Sequence, residues 1–252
     1  MGAQAREKAR EARRARELAE KQRRQRVRAF RIGGLIIGGL VVAIVVSLIM
    51  TSGKGDDPVA SDKPLVTPVT ATANGAFVVG QPTAPVRLEV YLDYMCPFCG
   101  RYERANSGEI DKLIADGTVR LEMHPLAFLD RFSNGQRYST RAANAIVTVA
   151  EKSPDQLLAF NAALFNNQPD EGTDGLKDAD IARLATEVGV PQEVADTFAA
   201  GTYEPWLAQS TEAAFASGIS GTPTVKIDGK VFEGDLYTAG PLTEAILAAK
   251  AQ

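Results

Sequence analysis

The residues best suited to chemistry are Cys96 and Cys99, the chain's two cysteines, which enclose Pro97 and Phe98. They follow a strand-like run, Val86 to Tyr94, and open a helix-like run that continues from Gly100 to Ala115. A C-x-x-C pair at a strand-to-helix junction has the layout of a dithiol redox site. A helix N-terminus carries unpaired N–H groups and roughly half a positive charge, so it favours a thiolate over a thiol. Thiols so placed have pKa values of roughly 3.5–7.5, against about 8.5 for a free cysteine. The Cys96 thiolate is then the nucleophile of disulfide exchange, and Cys99 can release a mixed disulfide.

Other chemistries fit the residue inventory less well. A structural zinc site needs about four ligands, and the chain offers two cysteines and one histidine, His124. No metal site is expected. A c-type haem needs histidine after the second cysteine, where Gly100 stands. A structural disulfide across two residues closes too small a loop to stabilise much. A Cys-His hydrolase needs a base for its nucleophile, and His124 is the single imidazole.

The surrounding elements must hold this pair in place. Val86, Leu88, Val90 and Leu92 alternate with Arg87, Glu89, Tyr91 and Asp93, a strand pattern. If helices cover both faces, Glu89 or Asp93 is partly buried. Asp93, nearest the cysteines, either relays a proton to or from Cys99 or faces water at the strand end. Asp116-Gly117 ends the first helix, and Thr118 to Met123 form a second strand, parallel to the first through a right-handed crossover. From Ser133 to about Ala216 the pattern is helical, with a capping box at Ser153-Pro154-Asp155-Gln156. Thr222 to Ile227 and Lys230 to Phe232 flank Asp228-Gly229, a type I′ hairpin signal. A last helix runs from Leu242 to Ala249. Thr222-Pro223, at the start of a strand, is a candidate cis peptide that would turn the Thr222 backbone toward the cysteines. A substrate strand could pair there edge to edge.

The chain's charge is divided. Its net charge is −3, yet residues 1–31 carry 12 Lys/Arg and 4 Glu and the rest is strongly acidic. The basic tail has high helix propensity and no apolar stripe, which suits a solvated helix beside an anionic inner leaflet. Nucleic-acid binding is the sharper alternative and is not expected. Residues 32–50 contain no charge and only Ser47 as a polar side chain. At 1.5 Å per residue they span about 28 Å, enough for one transmembrane helix. A cleaved signal peptide is the alternative, but the small-x-small sequence Ala71-Thr72-Ala73 lies too far downstream. The basic flank predicts a cytoplasmic N-terminus and an extracytoplasmic remainder in the cell membrane. Gly34 and Gly38 match a helix-dimer spacing. Residues 51–75 read as a disordered linker, and residues 76–252 as the folded α/β domain, with its all-helical insertion at about 133–216.

Together Cys96-Pro97-Phe98-Cys99, the helical insertion and Thr222-Pro223 resemble the DsbA-like branch of the thioredoxin superfamily, over roughly Phe77 to Ala249. The membrane anchor and basic tail look actinobacterial in type. The resemblance implies a thioredoxin fold and thiol:disulfide oxidoreductase activity. It makes Cys96 the attacking cysteine, Cys99 the resolving one and Pro223 a cis-proline beside the site, with Thr222 and Pro223 binding substrate. It implies no cofactor. Its implied partners are the thiols of exported proteins and a quinone-linked membrane oxidase of the DsbB or vitamin-K-epoxide-reductase type. Phe98 departs from the Pro-His pair of the most oxidising members and cannot donate to the Cys96 thiolate. Pro97, Phe98 and Asp93 are therefore expected to modulate the site. The buried acid of many thioredoxins falls on Val90, which leaves its role empty or passed to Glu89 or Asp93. Reductase or isomerase activity, or a redox-silent peptide-binding holdase, are the competing readings.

Overall fold

The computed structural model describes residues 63–251. The basic tail, the membrane span and linker residues 51–62 expected from the sequence lie outside the described residues. Among those described, no helix is long and apolar enough to cross a membrane.

In chain order the strands and helices begin with β1 (Phe77–Val79), β2 (Val86–Leu92), α1 (Pro97–Ala115) and β3 (Val119–Pro125). Five helices follow: α2 (Tyr138–Lys152), α3 (Leu157–Asn166), α4 (Asp178–Glu187), α5 (Gln192–Ala195) and α6 (Glu204–Ala216). The chain closes with β4 (Thr224–Ile227), β5 (Lys230–Val231) and α7 (Pro241–Lys250). This is a thioredoxin-like α/β fold with the helices α2–α6 inserted between β3 and β4.

The sheet order is β1-β3-β2-β4-β5. β2 and β3 run parallel, with Val86 opposite Val119 and Leu92 opposite Pro125. β4 runs antiparallel to β2 and β1 antiparallel to β3. The central strand β2 is buried on both faces: Val86, Leu88, Val90 and Leu92 on one, Glu89 and Tyr91 on the other. The edge strands β1 and β5 are only three and two residues long, which limits unwanted pairing. At the β4–β5 turn, Asp228 and Gly229 both have positive φ (50° and 82°), as the I′ hairpin requires. Asp228 also ties this hairpin to β2, its Oδ1 accepting from the Arg87 N–H at 2.9 Å.

Three sequence expectations change. First, β1 was absent from the sequence reading, since three residues carry no legible period. Second, Ser153 does not cap a helix backbone. Its hydroxyl donates to Gln156 Oε1 at 2.6 Å, a 3₁₀ turn occupies Pro154–Gln156, and α3 begins at Leu157. Third, the disordered linker expected over 51–75 does not hold for residues 63–75. Pro68 and Gly75 are buried, and Val66 and Ala71 pack against the core. The Glu151 carboxylate accepts from the N–H groups of Val69 (3.0 Å) and Thr70 (2.6 Å) and from the Thr70 hydroxyl. The segment has no core of its own, but a helix face and a carboxylate elsewhere in the chain supply one.

Candidate active site

Cys96 is the N-cap of α1, with extended backbone angles (φ −74°, ψ 114°), and Pro97 takes the first helical position. The missing Pro97 N–H costs nothing there, because that donor has no intrahelical partner. The Cys96 carbonyl accepts from Cys99 N at 3.0 Å and Gly100 N at 3.2 Å, which closes the first turn. This turn brings the sulfurs together. The Cys99 thiol bonds to the Cys96 sulfur, and this contact is the largest cause holding the Cys96 pKa down at about 6. Burial opposes it, while the Thr222 side chain and the N–H groups of Cys99 and Phe98 reinforce it. Cys99 is completely buried, and its pKa is pushed well above the ordinary value by burial first and by Cys96 second. One sulfur is thus a thiolate at neutral pH and the other a protonated thiol.

The loop before β4 completes the site. The Thr222–Pro223 peptide is cis, and the Cys96 thiol lies 3.3 Å from the Thr222 carbonyl oxygen. Phe98 projects outward, 49% exposed. The structure thus brings Cys96, Cys99, Thr222, Pro223, Pro97 and Phe98 to one place.

Asp93 is also there, but not facing water. It is fully buried, and its carboxylate accepts from four donors: Met95 N (2.8 Å), Phe128 N (2.8 Å), Leu129 N (2.9 Å) and the Ser139 hydroxyl (2.6 Å). Burial raises its pKa to about 6 against these bonds. The part of Asp93 that meets Cys99 is its backbone N–H, 3.5 Å from the sulfur. Its carboxylate is a tie between the end of β2, the loop after β3 and the start of α2. Glu89 is buried as well, at the other end of the face it shares with Tyr91.

Sequence reasoning missed two residues. Gln168, beyond α3, donates its Nε2 to the carbonyls of Cys96 (2.8 Å) and Tyr94 (3.0 Å). It thereby fastens the helical insertion to the nucleophile's peptide. Gly100 must lack a side chain for this, since a Cβ there would sit 2.1 Å from Gln168 Oε1. No motif announces Gln168. Glu103, one turn after Cys99, is buried and accepts from Asn161 Nδ2 at 2.9 Å. Burial, then the Asp111 charge, raises its pKa to about 7. Its place four residues after Cys99 on an amphipathic helix was a readable signal.

One ligand-capable atom from each of Glu89, Glu122 and His124 lies within 4.8 Å of the others. Two carboxylates and an imidazole are reasonable donors for a divalent metal. Here, however, Arg87 lies 3.1 Å from Glu89 and Arg120 2.9 Å from Glu122. Lys226 sits over the Tyr91 ring stacked on His124. The carboxylates are already neutralised, so the group reads as a buried charge network.

A family model described as thioredoxin matches residues 72–246. Among solved structures, the chain is similar to MdbA, a thiol-disulfide oxidoreductase from Actinomyces oris. The two are 28% identical with a TM-score of 0.63, covering 72% of this chain and 88% of that one. Reduced DsbA from Mycobacterium tuberculosis is also 28% identical, at a TM-score of 0.55, covering 72% of this chain and 97% of that one. Among curated proteins, the Mycobacterium tuberculosis serine/threonine-protein kinase PknE is 32% identical over 160 residues, 60% of this chain. The match spans only 28% of the kinase's length. With its dithiol at the start of α1 and its inserted helices similar to those of DsbA-type thiol-disulfide oxidoreductases, the chain belongs to the thioredoxin family.

Proposed function

We propose that the protein works outside the cytoplasm, held by residues 32–50, and donates disulfides to exported proteins. A substrate thiolate attacks Cys96 of the Cys96–Cys99 disulfide. The S–S bond breaks, Cys99 leaves as a thiolate and takes up a proton, and the substrate is joined to Cys96. The substrate's second thiolate then attacks its own bridged sulfur, forming the substrate disulfide and releasing the Cys96 thiolate. Two electrons pass from substrate to protein, and a quinone-linked membrane oxidase removes them. Thr222 and Pro223 dock the substrate backbone. Pro97 and Phe98 set how much the thiolate is stabilised, and Asp93 holds the loop behind Cys99.

The observation carrying this reading is the asymmetry of the sulfurs, Cys96 near 6 and Cys99 far above it. A stabilised Cys96 thiolate favours the reduced protein, so the oxidised protein gives its disulfide away readily. The test is a redox titration of the chain in glutathione buffers. A disulfide donor gives a potential between about −120 and −200 mV. A value below about −240 mV, nearer the roughly −270 mV of a reductant, would transfer the assignment to a reductase. If replacing both cysteines by alanine left activity intact, the holdase reading would stand instead.

A further inference from the structure

Beside Cys96, two aromatic rings and an arginine are gathered from distant parts of the chain. Phe98 and Tyr237 have ring centroids 5.8 Å apart. The Arg101 guanidinium lies 4.5 Å from the Tyr237 centroid and 5.7 Å from that of Phe98. Arg101 is exposed, and the described residues give it no ion pair. The nearby carboxylate, Asp235, is engaged in its own loop, accepting from Tyr237 N at 2.7 Å and the Thr238 hydroxyl at 2.6 Å. That loop is fixed to α1 as well: Asn106 Nδ2 donates to the Leu236 carbonyl at 2.8 Å. Tyr237 is therefore placed before substrate arrives. Both the Cys96 charge and the Arg101 charge act on the Tyr237 hydroxyl, which puts all three groups in one electrostatic neighbourhood.

We propose that Phe98, Arg101 and Tyr237 form a basic-aromatic platform that reads the substrate residue next to the reacting cysteine, preferring an acidic side chain and disfavouring a basic one. This rests on the exchange reaction proposed above and names the substrate class for that site. The rings give a flat apolar seat for the segment, and they hold the guanidinium by cation–π attraction in one orientation. The cation provides the selection by charge complementarity. The same charges serve release. In the oxidised protein Cys96 is neutral, so Arg101 faces only the Asp235 carboxylate, itself held by its own loop, when substrate arrives. After transfer the Cys96 thiolate stands beside the platform and repels an acidic product.

The experiment uses oxidised full-length protein in detergent and dithiol peptides differing only in the residue beside the first cysteine: Glu, Gln or Lys. Second-order oxidation rates are measured by acid quench. Each is divided by the same peptide's rate with hydroxyethyl disulfide, an uncharged reagent that cancels differences in thiol acidity. At low salt the normalised Glu-to-Lys ratio should be about fivefold, the size of one exposed ion pair. Adding about 1 M NaCl should bring it near one. Arg101→Gln should abolish it and Arg101→Glu invert it. A ratio near one in the unaltered protein at low salt, or a ratio that survives Arg101→Gln, would overturn the platform. If no peptide is oxidised at all, the exchange reading itself fails and the platform with it.

Discussion

Cys96 and Cys99 are the same residue type three positions apart, yet they titrate in opposite directions. Cys96 meets donors at the mouth of α1 and the Thr222 loop, whereas Cys99 meets apolar surroundings and a charged neighbour. Thiolate absorbance of the reduced protein should therefore show one midpoint near pH 6 and no second one in the ordinary cysteine range. The sign for stability follows from the direction of the shift. A thiol held at about 6 when folded, against about 8.5 for a free cysteine, contributes stability that is complete above about pH 8.5. That contribution is lost as pH falls through about 6. Urea denaturation should show the gap between reduced and oxidised protein moving in favour of the reduced form from pH 6 to 9. Gln168 tests whether the peptide's orientation matters. Gln168→Met keeps the size and removes the donor. It should raise the Cys96 midpoint by less than the roughly 0.7 unit that a bond to the sulfur itself would be worth, because the lost bond reaches the Cys96 carbonyl, and lower the redox potential slightly while leaving circular dichroism unchanged.

At the scale of elements, α1 carries the nucleophile at its first turn and a buried acid one turn further in. Glu103 has a folded pKa of about 7 against 4.5 ordinarily, so its contribution is complete below about pH 4.5 and is lost as pH rises through about 7. Glu103→Gln should leave stability near pH 4 unchanged and raise it at pH 8 by on the order of 1–3 kcal/mol, read from urea midpoints at both pH values. The end of β2 depends on Asp93 in another way. Its carboxylate satisfies three backbone N–H groups and one hydroxyl in a fully buried place. Asp93→Ala should cost about 3–5 kcal/mol, while Asp93→Asn, which keeps one oxygen, should cost less. Equal losses in a chemical denaturation series would remove the tie from this account.

For the whole molecule, the folded unit reaches further toward the N-terminus than composition suggests. Glu151 on α2 binds the segment at Val69 and Thr70, and Lys63 lies 3.2 Å from Glu204 on α6. The segment leading to β1 therefore runs along the inserted helices instead of hanging free. Glu151→Ala removes the acceptor for these N–H groups. It should lower the melting temperature by about 2–6 °C, as a loss of about 1–2 kcal/mol does in a domain of this size. No change in melting would mean that the apolar contacts of Val66 and Ala71 hold the segment alone.

The dithiol, its place at a helix start, the parallel β2–β3 pair, the inserted helices and the Thr222-Pro223 loop were all legible in the sequence. Each is written in contiguous residues: a two-residue spacing between cysteines, an alternation along one strand, an Asp-Gly turn. Backbone geometry over a few residues is local, so short patterns determine it. The four-fold saturation of Asp93, the grip of Gln168 on Cys96, the meeting of Tyr237 with Arg101 and the docking of residues 63–75 were decided by the tertiary structure alone. These contacts join side chains to partners from dozens to well over a hundred positions away. Their strength comes from burial and from which donors the fold happens to leave unpaired, and neither quantity exists until the chain has closed on itself.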